Sequence, residues 1–194
     1  MKMSVKSIIL TSVLGLGLSV GFTQLLNKKQ QEEEVNKVAE YKNKSREKIK
    51  PHKYDGSKIT YFNYLTYDQK KTLEVLMYNG IDYKFCFNTE GVPKGIDIVI
   101  YDKDETAQQR IKLYEAKGVM NKDVIITSDE MLKTLQAEKK GVTSLKKVFI
   151  EYVVPISDKP VEAAPKEGNK KGEPAPANPM ARGVVVVSFG YKNI

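Results

Sequence analysis

The sequence predicts an α/β protein that has one N-terminal transmembrane helix, a small βαββαβαβ domain and a C-terminal strand on a proline-rich tether. Three observations support this fold class. Residues 7–26 form an uncharged run, β-branched and aromatic runs alternate with segments of helical periodicity further along, and a valine-rich run follows a proline-rich segment. The predicted segments are an anchor over 1–26, a charged helical stalk over 27–50, the α/β domain over 51–158, a linker over 159–182 and a C-terminal strand over 183–194.

The run over residues 7–26 has the length of a membrane-spanning helix. At about 1.5 Å per residue, about 20 helical residues cross the roughly 30 Å hydrocarbon core of a bilayer. A cleaved signal peptide is one alternative, but no cleavage site of the A-x-A type follows the run. A buried helix of a soluble core is another, but Gly15, Gly17 and Gly21 would weaken that helix in water. Gly17 and Gly21 also have the small-xxx-small spacing that favours packing against a partner helix in a membrane.

Basic residues on the two sides of residues 7–26 predict the orientation and the compartment. Lys2 and Lys6 precede the run, whereas a larger basic group follows it: Lys28, Lys29, Lys37, Lys42, Lys44 and Arg46. By the positive-inside rule, the C-terminal part faces a mitochondrial matrix or a bacterial cytoplasm. The first 31 residues contain no acidic side chain and several hydroxyls, as import signals do. We therefore predict the mitochondrial inner membrane in preference to a bacterial inner membrane.

Composition argues against several classes of function. The chain has 194 residues and a formal net charge of +8, and only three of its 32 basic residues are arginine. Because lysine is poor at the bidentate contacts that read bases and phosphates, we expect no nucleic-acid partner. Cys86 is the single cysteine and His52 the single histidine, so we expect no intrachain disulfide, no Cys/His metal site and no cofactor. A lone histidine beside Pro51 is expected to be idle.

Residues 27–50 are polar, charged and rich in good helix formers, with a thin apolar seam at Val35, Val38 and Ala39. This pattern predicts that the anchor helix extends into water as a stalk and ends before Pro51. The alternative is that the helix lies along a neighbouring subunit.

Capping signals and periodicity place the elements of the α/β domain. Thr66 with Gln69 and Thr127 with Glu130 have the spacing of capping boxes, and glycines follow the predicted helices. Alternation of aromatic and β-branched residues marks the strands. The predicted elements are a strand over 58–65, a helix from 66 to 80, strands over 82–88 and 96–101, a helix over 104–117, a strand over 123–127, a helix from 127 to 141 and a strand over 146–154.

The C-terminal part changes character twice. Six prolines fall between residues 155 and 182, which predicts an extended tether, and the apolar β-run over 183–191 follows. An exposed run of this kind would aggregate, so it must pair with the edge of its own sheet, which we favour, or with a partner subunit. The candidate partner-contact residues are Gly17, Gly21, Val184, Val185, Val186, Val187 and Phe189.

Residues 58–88 begin KITYFNYLTYDQKKTLEVLMYNGIDYKF, which is similar to the opening βαβ of glutaredoxin- and thioredoxin-like proteins. In that family a CxxC motif stands at the start of the first helix, where this chain has residues 65–68, LTYD. The resemblance implies a non-catalytic copy of the fold. Cys86 falls on the second strand and is expected to be packed. A redox adaptor that depends on Cys86 is the alternative.

Residues 96–106, IDIVIYDKDET, end a strand in D-x-D-x-T, which resembles the first motif of haloacid dehalogenase-like phosphotransferases. The resemblance implies Asp102 as nucleophile, Asp104 as acid/base and Mg²⁺ as the metal, with Thr127 or Ser128 and Lys139 or Lys140 in the later motifs. No later strand ends in the acidic pair that would complete a magnesium site. The favoured interpretation is therefore that these side chains cap the following helix.

These observations lead to one functional hypothesis and its alternatives. We predict a non-catalytic, single-pass membrane-anchored accessory subunit of a larger membrane complex, of the respiratory type in a mitochondrial inner membrane. Its partners would be the lipid bilayer and other subunits, which it would contact through the anchor helix and the C-terminal strand. The alternatives are a membrane-tethered Mg²⁺-dependent phosphatase and a component of a bacterial envelope assembly.

Overall fold

The computed structural model describes residues 28–64, 69–156 and 182–193. The chain divides into two compact units, Met1–Ala39 and Glu40–Ile194, and everything below concerns the second unless stated otherwise. The elements are α1 (Lys28–Ile49), β1 (Lys53–Asn63), β2 (Gln69–Leu76), β3 (Ile81–Asn88), β4 (Ile96–Tyr101), β5 (Lys112–Val119), β6 (Asp123–Thr127), α2 (Ser128–Glu138), β7 (Lys147–Val154) and β8 (Arg182–Asn193).

The eight strands form two antiparallel four-stranded sheets. Sheet I has the order β1-β8-β3-β6 and sheet II the order β2-β7-β4-β5. Strands pair as β1 with β8, β2 with β7, β3 with β6 and β4 with β5, so the chain resembles a long hairpin folded over on itself. Two sheets connected in this order define a jelly roll.

The core lies between the two sheets. Alternate residues of each strand point inward, as the two-residue period of a β-strand requires. Phe85 and Phe87 of sheet I and Ile150 and Tyr152 of sheet II are fully buried there. The rings of Phe87 and Tyr152 meet across the interface edge to face, with centroids 6.4 Å apart. Aromatic and β-branched side chains therefore hold the sandwich together.

Helix α2 begins where the sequence predicts a helix. The Thr127 hydroxyl accepts a hydrogen bond from the Glu130 amide, and the Glu130 carboxylate accepts one from the Thr127 amide, which completes the predicted capping box. Met131 and Leu135 are buried on one side of the helix. This part of the prediction is confirmed.

The predicted α/β fold class, and with it the thioredoxin-like domain, is wrong. Residues 69–76, predicted as the main part of a helix, form β2, and most of the helix predicted over 104–117 is replaced by a loop and β5. In β2, Leu73 and Val75 face the core while their neighbours Thr72, Glu74 and Leu76 are exposed, so the same sequence also satisfies a two-residue period. Pairing with β7 along eight residues decides the outcome in favour of the strand.

The predicted membrane protein is also contradicted. Within residues 28–64, 69–156 and 182–193, no helix is both long and apolar enough to cross a membrane. The single-pass membrane localisation, mitochondrial or bacterial, is therefore withdrawn. The predicted span itself, residues 7–26 with Gly17 and Gly21, lies outside the described residues.

The C-terminal run forms β8, which lies between β1 and β3 in its own sheet and not at an edge. Val185, Val186 and Val187 are fully buried, and Val184 and Phe189 are partly buried. Gly183 allows β8 to approach β1, because a Cβ atom there would lie 2.2 Å from the Phe62 ring. These candidate partner-contact residues are therefore used within the fold.

The second half of α1 packs on the outer face of sheet I. Ser45 and Ile49 are fully buried, and the Ser45 hydroxyl lies 2.6 Å from the Ser188 hydroxyl of β8. Gly190 leaves room for the helix, since a Cβ atom there would lie 2.3 Å from Ile49. The helix ends at Ile49, close to the predicted position, but its last turns are not a stalk in water.

Candidate ligand-binding pocket

A cavity lies at the end of the sandwich where β2 turns into β3. We call it the end pocket; its volume is about 440 Å³, which is within the usual range for small-molecule sites. Five pieces of chain meet there: the turn over 77–80, the start of β3, the first turn of α2, the segment 143–145 and the end of β8.

The β2–β3 turn and the ends of three strands position the polar side chains of the end pocket. Gly80 has φ +75°, a conformation that glycine adopts without strain and that reverses the chain after Asn79. The antiparallel register places Asp82 of β3 opposite Lys192 of β8. β6 ends at Thr127, so Ser128 and Asp129 enter the pocket from the start of α2.

Asp82 is the centre of a hydrogen-bond network in the wall of the end pocket. One carboxylate oxygen lies 3.0 Å from His52 Nε2 and 3.3 Å from Lys192 Nζ, and the other accepts a 3.0 Å bond from the Ser128 hydroxyl. Burial raises the pKa of Asp82, but the hydrogen bonds from His52, Ser128 and Lys192 outweigh it and hold the pKa below its usual range. Asp82 is therefore ionised at neutral pH.

The Ser128, Asp82 and His52 side chains do not form a nucleophilic triad. In a serine hydrolase the hydroxyl bonds to the imidazole, which takes its proton. Here Ser128 donates to Asp82 and accepts a 2.8 Å hydrogen bond from the Tyr83 amide, and the carboxylate stands between Ser128 and His52. The order Ser128–Asp82–His52, with the carboxylate in the middle, holds these three side chains in place in the wall of the pocket.

The charges that line the end pocket are compensated locally. Asp82 has Lys192 at 3.3 Å, and Asp129 has Lys133 at 2.7 Å, one turn further along α2. A ligand of either sign would have to displace one of these pairs. The pocket therefore favours an uncharged part of a ligand.

An apolar floor and an exposed aromatic ring complete the end pocket. Met77, Ile81, Leu132 and Leu145 contribute apolar surface to the lining. Tyr78, beside them, is 71% exposed, which is unusual for so large a side chain. The ring is available for stacking, and its hydroxyl remains free to reach solvent or a ligand.

The residues implied by the phosphotransferase resemblance serve local structure. An Asp102 carboxylate oxygen accepts a 2.6 Å hydrogen bond from the Ile111 amide and closes the loop between β4 and β5. Asp104 accepts from the amide and hydroxyl of Thr106 and caps a turn, because no helix follows. In the described part of the chain, no group of three His, Cys, Asp or Glu side chains is placed to hold a metal ion.

Cys86 lies on the outer face of sheet I and is fully buried. Burial raises the pKa of its thiol to about 12, with a smaller contribution from Asp123. Because the thiolate is the reactive form, this thiol is unreactive in the folded state. The position agrees with the expectation of a packed cysteine.

Sequence reasoning did not identify His52 or Asp82 as site residues, and it named Ser128 only as one option for a later motif of the phosphotransferase resemblance. His52 was expected to be idle on the surface, yet it is 9% exposed and lies against Asp82. The dipeptide Asn79–Gly80 is a turn signal and could have located the turn. Nothing local in the sequence shows that residues 30 positions apart meet there.

Comparisons with known proteins identify no family. No protein-family model matches the chain, and no curated protein matches it. Among solved structures, it is similar to TmCBM61 in complex with beta-1,4-galactotriose, with 12% identity, coverage of 79% of this chain and 97% of that chain, and a TM-score of 0.28. A TM-score of 0.28 does not show a common fold, so the jelly-roll assignment rests on strand order and register.

Proposed function

We propose that this protein is a non-catalytic binding module that holds a saccharide, with an uncharged, polyhydroxylated ring of that ligand in the end pocket. The observation that supports this most is that one cavity combines the exposed Tyr78 ring, an apolar floor and fixed polar groups whose charges are already paired. Each of these features matches one property of a sugar.

A sugar ring has an apolar C–H face and a rim of hydroxyl groups. The apolar face suits Tyr78 and the floor, because an aromatic side chain offers a rigid apolar surface with a polar tip. Each hydroxyl can donate and accept, which suits a lining that has both kinds of group. Asn79 and Thr143 supply neutral donors and acceptors, whereas Asp82 and Ser128 are held in place by their own hydrogen bonds.

The proposal of a non-catalytic role is supported by the direction of the hydrogen bonds. Ser128, the hydroxyl of the lining that lies beside Asp82, is already bonded to Asp82 and to the Tyr83 amide. An activated serine needs a base at its hydroxyl, and an ionised carboxylate that is itself bonded to His52 is a weak one. The pocket is therefore better arranged to hold a ligand than to attack it.

Titration calorimetry with three neutral disaccharides, maltose, cellobiose and lactose, tests the proposal. At least one should bind with a dissociation constant in the millimolar range or tighter. Tyr78→Ala should weaken that binding about fivefold, the factor that about 1 kcal/mol of stacking supplies. Tyr78→Ala changes an exposed side chain, so the thermal unfolding of this variant should match that of the parent protein.

The matched control is Tyr61→Ala. Tyr61 is another exposed tyrosine, 52% exposed, and it lies on β1 outside the end pocket. Its removal should leave sugar binding unchanged. Absence of binding for all three sugars would overturn the proposal, and so would equal losses in the Tyr78 and Tyr61 variants.

The accessory-subunit role stays a prediction in a narrower form. Binding to other subunits was predicted through Gly17, Gly21 and the C-terminal strand. The two glycines lie outside the described residues, and the strand is paired on both sides within sheet I. A ligand-binding module can itself be one part of a larger assembly, so the proposed binding function is compatible with an accessory-subunit role.

A further inference from the structure

A second, smaller cavity adjoins the end pocket. We call it the lysine pocket; its volume is about 170 Å³, and four lysines line it: Lys103, Lys139, Lys146 and Lys147. Ser144 and Leu145 line both cavities, so they form a shared wall. The two cavities therefore lie next to each other, and a ligand would have to extend past Ser144 and Leu145 to occupy both.

The lysine pocket differs from the end pocket because part of its positive charge is not compensated. Lys147 pairs with Glu74 at 3.1 Å, and the Lys103 ammonium donates to a backbone carbonyl and keeps its charge. Lys139 and Lys146 make no ion pair with any carboxylate of the described residues.

One acidic residue, Asp102, also lines the lysine pocket, and its carboxylate accepts a hydrogen bond from the Ile111 amide. Hydrogen bonds from Thr106 and, to a smaller extent, the charge of Lys147 lower the pKa of the Asp104 carboxyl, so Asp104 also lies close to this lysine. Lys103, Lys139 and Lys146 therefore face two aspartates and leave one positive charge around the cavity. The C-terminal end of α2 lies nearby and opposes an anion with roughly half a charge. The lysines therefore outweigh both opposing contributions.

We infer that the ligand is an anionic saccharide, whose ring occupies the end pocket and whose sulfate or carboxylate group occupies the lysine pocket. This inference rests on the proposed function. Lysine is a point charge without a fixed fork of donors, so the lysine pocket accepts either anion and does not select one by geometry. The ring fixes the position of the anion, and the anion adds affinity that falls as salt screens it.

Calorimetry tests the inference. The ligands are the sulfated and carboxymethylated forms of maltose, cellobiose and lactose, the three neutral sugars, and inorganic sulfate. At low salt, the anionic forms should bind about tenfold more tightly than the neutral sugar, and this gain should shrink at high salt. The double variant Lys139→Ala/Lys146→Ala should lose the gain and keep the affinity for the neutral sugar.

The control is Lys58→Ala/Lys122→Ala, which removes the same charge from two exposed lysines outside both cavities. It should keep the gain. Equal losses in the two double variants would overturn the inference, because the attraction would then come from the overall charge. Inorganic sulfate that binds as tightly as the sulfated sugars would also overturn it.

The two proposals fail in different ways. If Tyr78→Ala leaves the binding of neutral sugars intact, the proposed function fails. If only the lysine variants give the wrong result, the protein remains a saccharide-binding module and the inference of an anionic group fails.

Discussion

The central position of β8 makes a quantitative prediction about a residue near the end of the chain. Val187 is fully buried between the two sheets, whereas Val184 lies three residues earlier on the opposite face of β8 and is partly exposed. Replacing Val187 with alanine removes two methyl groups from the core. At about 0.8 kcal/mol for each buried methyl-sized group, the transfer cost is about 1.6 kcal/mol. Incomplete collapse of the cavity raises the expected loss in the free energy of unfolding to about 2–3 kcal/mol.

Urea unfolding followed by far-ultraviolet circular dichroism measures this loss. Val187→Ala should lower the midpoint without changing the slope, because the surface exposed on unfolding hardly changes. Val184→Ala is the matched control and should cost less than about 1 kcal/mol, since its side chain is partly in water already. Deletion of residues 182–194 should abolish cooperative unfolding, because β1 and β3 would lose the strand between them. A deletion variant that still unfolds cooperatively, or equal losses for the two valines, would refute a β8 that lies inside sheet I.

Three further predictions follow from buried polar groups. Asp82→Asn should lower the free energy of unfolding at pH 7 by about 1.5–3 kcal/mol, the range for hydrogen bonds to a charged group. Because the pKa of Asp82 is lowered in the folded state, the contribution of this carboxylate to the free energy of unfolding is present above about pH 4 and is lost as the pH falls through the folded pKa. Urea unfolding at a series of acid pH values should show this loss in the parent protein and not in Asp82→Asn. Arg110→Ala should cost about 1–3 kcal/mol in urea unfolding, because it removes the nearest cation from Glu151, whose side chain is 4% exposed, and leaves Lys70 at 3.8 Å. An unchanged free energy of unfolding would contradict the pairing of a buried carboxylate with Arg110. Cys86 should fail to react with a thiol reagent in the folded protein and react fully in urea, and rapid reaction under native conditions would contradict its burial.

The local sequence was sufficient to predict those strands whose residues fit only one kind of secondary structure. Residues 96–101, 123–127 and 146–154 alternate or are apolar throughout, and the structure forms strands there within a residue. Residues 66–80 and 104–117 combine good helix formers with apolar residues that fit two periods. Pairing with β7 made residues 69–76 a strand, and pairing with β4 made residues 112–119 a strand. Local propensity does not encode these pairings.

The candidate site was less predictable than the fold because it is assembled from segments that are distant in sequence. His52 precedes β1, Asp82 begins β3, Ser128 begins α2 and Lys192 ends β8. Their meeting depends on the strand order 1-8-3-6, which an α/β prediction cannot contain. The Asp102 and Asp104 pair, in contrast, attracted attention as a short motif, and the structure uses both carboxylates to shape a loop.

The location of bound sugar is the most direct test of the binding-module proposal. Amide chemical-shift mapping should be performed on the full chain during titration with the tightest-binding disaccharide of the calorimetric set. The proposal predicts that the shifted amides cluster in residues 77–82, 128–129 and 143–145 around the end pocket. Shifts that concentrate on the outer face of sheet II, or that scatter over the chain without this cluster, would contradict it.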